Sequence, residues 1–228
     1  MKLDGLRVIL TGGSGRLGKQ LTNILWDEGC ALAYPTSEQW DITTTKLPTI
    51  LDYWVPDIII HCAAYTDVPG AENNKSDAVR VNVLGTENVV SLAKDMGCRL
   101  IHISSDYVGY HPMGFYATTK MMAEALVPET ETIIRTSFKD RGTWGENALT
   151  GVFHPVYTNA DWTDVIAKKI VEVIKSDLRG VVNVGTKEKT LKDLAMQEYA
   201  DVAEIPVEKA DGMVGYHYPR DCRMKLTI

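Results

Sequence analysis

The sequence predicts an α/β protein in which a doubly wound parallel sheet carries a small C-terminal lobe. Strand-like and helix-like segments alternate through the first two-thirds of the chain, as repeated β-α-β units do. Residues 57–63 form a nearly unbroken apolar run, expected of a strand buried on both faces of a parallel sheet. The chain has 228 residues, 45% hydrophobic and 24% charged, which is enough for one sizeable core in an ordinary globular protein.

Each element has its own signal. Residues 6–11 are a short apolar run ending in glycines, and 17–28 have helical periodicity stopped by Gly29, a C-terminal signal. A second short run at 30–34 is closed by Pro35, and 45–53 read as a short helix. After the strand at 57–63, residues 76–96 read as a long helix ended by Gly97, and 99–104 as a fourth strand. A helix at 116–126, a strand at 132–136, an amphipathic helix at 161–175, a strand at 181–184 and a last helix at 191–199 complete the pattern. Residues 1–137, rejoined by 161–185, therefore read as the core. Residues 138–160 and 186–228, with irregular Gly-, Pro-, Trp- and Tyr-rich stretches, read as a small lobe over the C-terminal edge of the sheet, where ligands bind in such folds.

Charge and composition exclude several classes. A net charge of −6 without a basic stripe argues against nucleic acid and anionic membranes as partners. No apolar run approaches the ~20 residues of a membrane span, and the N-terminus shows no signal peptide. Cys30, Cys62, Cys98 and Cys222 are isolated, which fits free thiols in a reducing cytoplasm. The five histidines lack metal-ligand spacing, so no metal is expected.

Two motifs carry the chemistry. Thr11-Gly12-Gly13-Ser14-Gly15-Arg16-Leu17-Gly18 joins the first strand to the first helix, the context a dinucleotide-binding loop requires in a Rossmann-like fold. Gly12 permits the turn, Gly15 the approach of a pyrophosphate, and Gly18 close packing of helix on strand. The phosphates would meet the unpaired N–H groups of the helix N-terminus. The second strand ends Tyr34-Pro35-Thr36-Ser37 without a carboxylate at its tip. Thr36 and Ser37, with Arg16, could receive a 2′-phosphate, so NADPH is expected over NADH. The second motif runs from Ser104-Ser105 to Tyr116 and Lys120. Positions i and i+4 share a helix face. An ammonium near Tyr116 would favour its phenolate and lower its pKa from ~10, suiting it to proton transfer at a carbonyl.

With these motifs in place the chain resembles the extended short-chain dehydrogenase/reductases, and within them the dTDP-4-dehydrorhamnose reductase branch. The matching pieces are the glycine loop, residues 38–43, residues 56–67 with Ala71-Glu72, residues 81–89, residues 103–108, Tyr116-Ala-Thr-Thr-Lys120 with Glu124, and residues 134–137. The resemblance implies that Gly12, Gly15 and Gly18 hold the pyrophosphate, with Arg16 and Leu17 among the cofactor-binding residues. Asp41 and Ile42 would border the adenine, and Ala63, Ala64 and Tyr65 would line the cofactor. Ser105 would orient a substrate carbonyl beside Ser104. Tyr116 would be the general acid, and Lys120 would bind the nicotinamide ribose and tune Tyr116. Asn82 would steady nearby backbone. The implied reaction is NADPH-dependent reduction of the C4 ketone of a nucleotide-linked 4-keto-6-deoxy sugar. GDP-fucose-synthase-like or UDP-sugar epimerase/reductase chemistry and a non-catalytic NADP-binding subunit are the alternatives. The Ser105–Tyr116 connection and the C-terminal part are short for this family, so a second subunit could complete the lobe in a homodimer. Trp144, Tyr157, Trp162 and Arg220 are candidate nucleotide-sugar contacts, Arg220 foremost because arginine suits phosphate; each also reads as core or rim.

Overall fold

The computed structural model describes residues 1–109, 114–142, 152–199, 202–209 and 219–227. It opens with β1 (Arg7–Thr11), α1 (Arg16–Asp27) and β2 (Ala31–Ala33). A 3-10 turn at Thr49–Asp52 precedes β3 (Ile58–His61). Next come α2 (Val68–Asn73), α3 (Lys75–Val79), a π-helical turn at Arg80–Leu84, and α4 (Gly85–Met96). Then follow β4 (Arg99–Ile103), a 3-10 turn at Asp106–Gly109, α5 (Phe115–Glu124) and β5 (Thr132–Arg135). Four short strands, β6 (Phe138–Lys139), β7 (Val152–His154), β8 (Tyr157–Thr158) and β9 (Asp161–Trp162), lead into α6 (Thr163–Ser176) and β10 (Gly180–Asn183). The last elements are β11 (Lys189–Thr190), α7 (Leu191–Ala195), β12 (Glu204–Pro206) and β13 (Asp221–Cys222).

Six strands make one sheet in the order β10-β5-β4-β3-β1-β2, every neighbouring pair parallel. Strand side chains alternate between faces, and the two faces bury different partners. Val8, Leu10, Ile58, Ile60, Ile101 and Ile103 share one core with Leu17, Leu21 and Leu25 of α1 and with Ile166, Ile170 and Ile174 of α6. Ile9, Ile59, Leu100 and Ile133 share the other with Val89, Leu92 and Ala93 of α4. In all three helices the buried residues recur at i, i+3 or i+4, the stripe that docks a helix on a sheet. The chain leaves β1 for β2 on one side and returns to add β3 on the other. Strand order therefore reverses between β1 and β3, the crevice where open α/β sheets bind ligands.

The expected long helix at 76–96 is interrupted by the π turn, a feature often found at functional sites. The expected helix at 45–53 shrinks to one 3-10 turn, whose N-cap is Pro48; proline is tolerated at a helix start but not inside one. The last expected helix ends at Ala195, and Tyr199 beyond it packs against the cluster of Val152, Ala195 and Val202. Helix α2 was not expected; Asp67 caps it, accepting the Gly70 N–H, and Pro69 sits in its first turn. The small strands pair as β11-β8-β13, β12-β7 and β6-β9. Among the described residues no helix is long and apolar enough to cross a membrane.

Candidate active site

A cavity of about 840 Å³ lies along the carboxyl ends of the strands. At one end it is walled by Pro35, Ser37, Trp40, Asp41, Ile42, Thr43 and Arg80. It passes Gly12, Gly15 and Leu17 in the middle and ends at Ser105, Asp106, Tyr107, Tyr116 and residues 136–139. The glycine loop floors it for steric reasons. Gly12 has φ +68°, and a Cβ there would stand 2.7 Å from the Ala63 nitrogen, so only glycine lets the ends of β1 and β3 close up. A Cβ on Gly18 would stand 2.1 Å from the Gly12 carbonyl oxygen. The loop and α1 can pack this closely only without side chains there. Gly15 is the N-cap of α1 and brings no side-chain hydrogen bond to its first turn. The free N–H groups of a helix start form an anion-binding site.

The inner end is set by α5. Its N-terminus is capped from α2: Glu72 Oε1 accepts the Phe115 N–H at 2.6 Å, a carboxylate placed where the helix dipole favours it. Tyr116, Lys120 and Glu124 follow at successive i+4 positions. Lys120 is 2% exposed, and its Nζ donates to the Ile103 carbonyl at 2.8 Å. Burial lowers its pKa to about 8, while Glu124 and Cys62 pull the other way, so it stays largely protonated at neutral pH. Glu124 accepts a two-toothed pair from Arg135, 2.9 and 2.6 Å, and the Ser104 hydroxyl at 2.5 Å. The Tyr116 phenol is pushed up to about 12 by burial and by the nearby Asp106, with a hydrogen bond to Ser105 opposing. This reverses the expected lowering. The Lys120 ammonium is engaged below the sheet edge at Ile103, while a buried carboxyl lies near the phenol.

Asn82 ties the site together from the π turn. Its Oδ1 accepts the Tyr65 N–H at 2.7 Å, and its Nδ2 donates to Tyr65 O at 3.2 Å and to Thr119 Oγ1 at 2.9 Å. The loop after β3 is thereby fixed to the helix that carries Tyr116. A second chain runs below it: Thr11 Oγ1 meets His61 Nδ1 at 2.8 Å, and His61 Nε2 meets Thr86 Oγ1 at 3.1 Å. Burial pushes His61 down to about 3, so it serves this lattice as a neutral imidazole.

The structure gathers Gly12, Gly15, Arg16, Leu17, Gly18, Ser37, Asp41, Ile42, Ala63, Ala64, Ser104, Ser105, Tyr116 and Lys120 around one cavity. Several expected members do not line it. Thr36 instead caps its own turn, its N–H bonded to Gln39 Oε1 at 2.9 Å. Tyr65 is held by Asn82 and turns its hydroxyl toward Gly70. Arg220 lies outside the lining, beside β13, where its carbonyl accepts the Tyr157 N–H. Trp162 is 2% exposed in a cluster with Ala160 and Leu194, a core residue. Tyr157 sits under the Arg223 guanidinium, 4.8 Å from its ring centre. Trp144 lies outside the described residues. Arg16 lines the cavity, and its guanidinium stands 3.3 Å from Asp140, just beyond β6. Sequence reasoning missed Trp40, Arg80, Asp106 and Lys139. Arg80 stands at the Ser37–Asp41 end, 3.0 Å from Thr43 Oγ1. Asp106 had a signal, since it follows the serine pair directly.

The family described as "RmlD substrate binding domain" matches residues 6–161. The chain belongs to the RmlD substrate binding domain family. Relatives agree with that placement. The dTDP-4-dehydrorhamnose reductase of Mycobacterium tuberculosis is 36% identical over 163 residues, 62% of this chain and 53% of that protein, so the chain spans about half the length of that relative. A dTDP-4-keto-6-deoxy-D-glucose reductase of Streptomyces niveus is 27% identical over 92% of this chain and 84% of its own length. The crystal structure of a Bacillus anthracis dTDP-4-dehydrorhamnose reductase in complex with NADP superposes with a TM-score of 0.84 at 25% identity, covering 98% of this chain and 91% of that one. The RmlD-family glycine loop and Tyr116–Lys120 pair thus fall within the matched stretch.

Proposed function

We propose that this chain uses NADPH to reduce the C4 ketone of a nucleotide-linked 4-keto-6-deoxy sugar. The observation that carries the reading is the meeting of the Ser105 and Tyr116 hydroxyls over a buried Lys120, at one end of a cavity floored by a bare helix N-terminus. The names of its relatives support the substrate class, and the NADP in the Bacillus anthracis structure supports the cofactor.

The residues present fit a dinucleotide. The cavity is of the size that organic cofactors fill, and it is long, with an anion-binding turn midway. A Cβ on Gly15 would crowd the loop from 3.1 Å. The pyrophosphate would lie against residues 12–18, and Ile42 with Trp40 would flank the base. Arg80 and Ser37 are the groups placed to receive a 2′-phosphate, in place of Arg16 and Thr36. Arg80 also offsets Asp41, whose carboxylate is held low by the Thr43 N–H and hydroxyl. When bound, the cofactor supplies the hydride and the protein supplies orientation and electrostatics.

The chain's own residues would act as follows. Ser105 and Tyr116 aim two hydroxyls at the carbonyl oxygen, preorganised for the negative charge that develops there. A phenol whose pKa lies near 12 stays protonated at neutral pH, so Tyr116 arrives loaded. It releases its proton only to a stronger base, and the developing alkoxide is one. Lys120 adds a positive potential that steadies the phenolate left behind. Residues 1–137 and 161–185 would hold the dinucleotide, with 138–160 and 186–228 forming the sugar-nucleotide lobe. Leu84, Met121 and Met122 are exposed on adjoining segments, a surface a second copy could cover in a homodimer.

The test is loss of NADPH absorbance on adding a dTDP-4-keto-6-deoxy sugar. Tyr116→Phe should slow turnover about 10²- to 10⁴-fold while NADP binding, followed by calorimetry, is retained. Equal rates would remove Tyr116 from the mechanism. NADP binding without turnover on any keto-sugar nucleotide would favour the non-catalytic subunit.

A further inference from the structure

We propose that Asp106 returns the proton to Tyr116 through Ser105, drawing it from a second cavity on the far side of the site. The idea rests on the reductase reading, because each reduction takes one proton from solution. Substrate and cofactor together would fill the large cavity and cover the face of Tyr116, so a route from its other side would reload it before the products leave.

Asp106 is built for that route. It is 3% exposed and opens the 3-10 turn after β4, its N–H fixed to the Thr136 carbonyl at 3.2 Å. Its Oδ1 stands 3.4 Å from the Ser105 hydroxyl, which is itself hydrogen-bonded with Tyr116. Among the described residues its buried Oδ2 makes no hydrogen bond of good geometry, though the Ser137 hydroxyl lies near the carboxyl and favours its charged form; a buried oxygen so weakly satisfied calls for an explanation in a native site. Asp106 lines the large cavity and also a smaller one of about 180 Å³, shared with Gly109, Arg135, Asn183 and Arg223. Among the described residues it is the one the two cavities have in common.

The charged and titratable groups around Asp106 come from every packed element: Tyr116 on α5, Lys139 on β6, Arg135 on β5, Cys222 on β13 and Arg223 just beyond it. Burial lifts the carboxyl to about 7, against the hydroxyls of Ser105 and Ser137 and the charge of Lys139. It can therefore hold a proton and give it up near neutrality. In the step itself, the Tyr116 O–H breaks and its proton bonds the alkoxide oxygen. The Ser105 proton then passes to the phenolate oxygen as the Asp106 proton passes to Ser105 Oγ. Asp106 is left as a carboxylate and takes a proton from water in the small cavity. No electrons move in this relay.

The experiment is rapid-mixing kinetics of NADPH oxidation with a dTDP-4-keto-6-deoxy sugar, for wild type and Asp106→Asn. Tyr116 is already loaded before the first turnover. The variant should therefore oxidise one equivalent at the wild-type rate and then slow at least about tenfold in steady state. The wild-type kcat profile should bend near pH 7, and that bend should be absent in the variant. A second readout needs no turnover: the infrared carboxyl band of the ligand-free protein should titrate near pH 7 and vanish in Asp106→Asn. An unchanged steady state would overturn the relay, as would a first turnover slowed as much as the later ones, or a titrating band that persists. Wild type that fails to oxidise NADPH with any keto-sugar nucleotide would instead overturn the reductase reading, and the relay with it.

Discussion

Asp106 shows what a single buried carboxyl costs. Its folded pKa near 7 lies above the ordinary 3.8, chiefly through burial. Below about pH 4 it is protonated in both folded and unfolded chains and has no effect. Between about pH 4 and 7 the unfolded chain loses its proton first, so stability falls as pH rises, and above 7 the penalty is complete. Asp106→Asn should therefore stabilise the protein at pH 8 by on the order of 2–4 kcal/mol. At pH 4 the gain should nearly vanish, and urea unfolding at the two values checks both. The same substitution should impair turnover, the familiar opposition of stability and activity. At this scale the sequence was informative where chemistry repeats a pattern: Gly12, Gly15, Ser105, Tyr116 and Lys120 all reach the cavity. It was silent on Arg80 and Lys139, which arrive from elements distant in the chain. It placed Arg16 at the cavity but not its ion pair with Asp140, because no local pattern announces that partner.

The helix pair α3–α4 shows why an element's outline is easier to read than its interruption. Hydrophobic spacing and Gly97 marked the span, but the π turn arises from tertiary demand. It carries Asn82, 1% exposed, inward to Tyr65 and Thr119, and Arg80 to the Thr43 side of the cavity. Asn82→Ala would strip three hydrogen bonds and leave the Tyr65 amide and the Thr119 hydroxyl short of partners. The expected cost is about 1–3 kcal/mol in urea unfolding, with weaker NADP binding, because Ala63 and Ala64 lie in the loop that Asn82 anchors. A change below a few tenths of a kcal/mol would show that water replaces the amide. Helix α2 escaped the sequence reading for a related reason. It is only six residues long, too short for periodicity to register, yet it supplies the Glu72 cap of the helix bearing Tyr116.

Across the whole molecule, the doubly wound sheet was legible because burial on both faces leaves unbroken apolar runs. The short strands beyond β5 were not, because they are two or three residues long and pair non-locally. The family match ends at residue 161, but the core does not. Ile166, Ile170, Val171, Val173 and Ile174 are at most 3% exposed, and burying five such side chains contributes on the order of 10 kcal/mol. That equals the whole stability of a typical domain, roughly 5–15 kcal/mol. A chain ended at residue 160 should fail to give a cooperative unfolding transition by circular dichroism, whereas a chain ended after 183 should retain one. The strand order has a consequence for synthesis on the ribosome. Strand β5, complete at Arg135, needs β10 beside it, and the exposed face of α1 needs α6. The closing strand ends at Asn183. At about 5–20 residues per second, the nascent sheet waits roughly 2–10 s with one edge and one apolar face open, an interval in which a chaperone has something to hold.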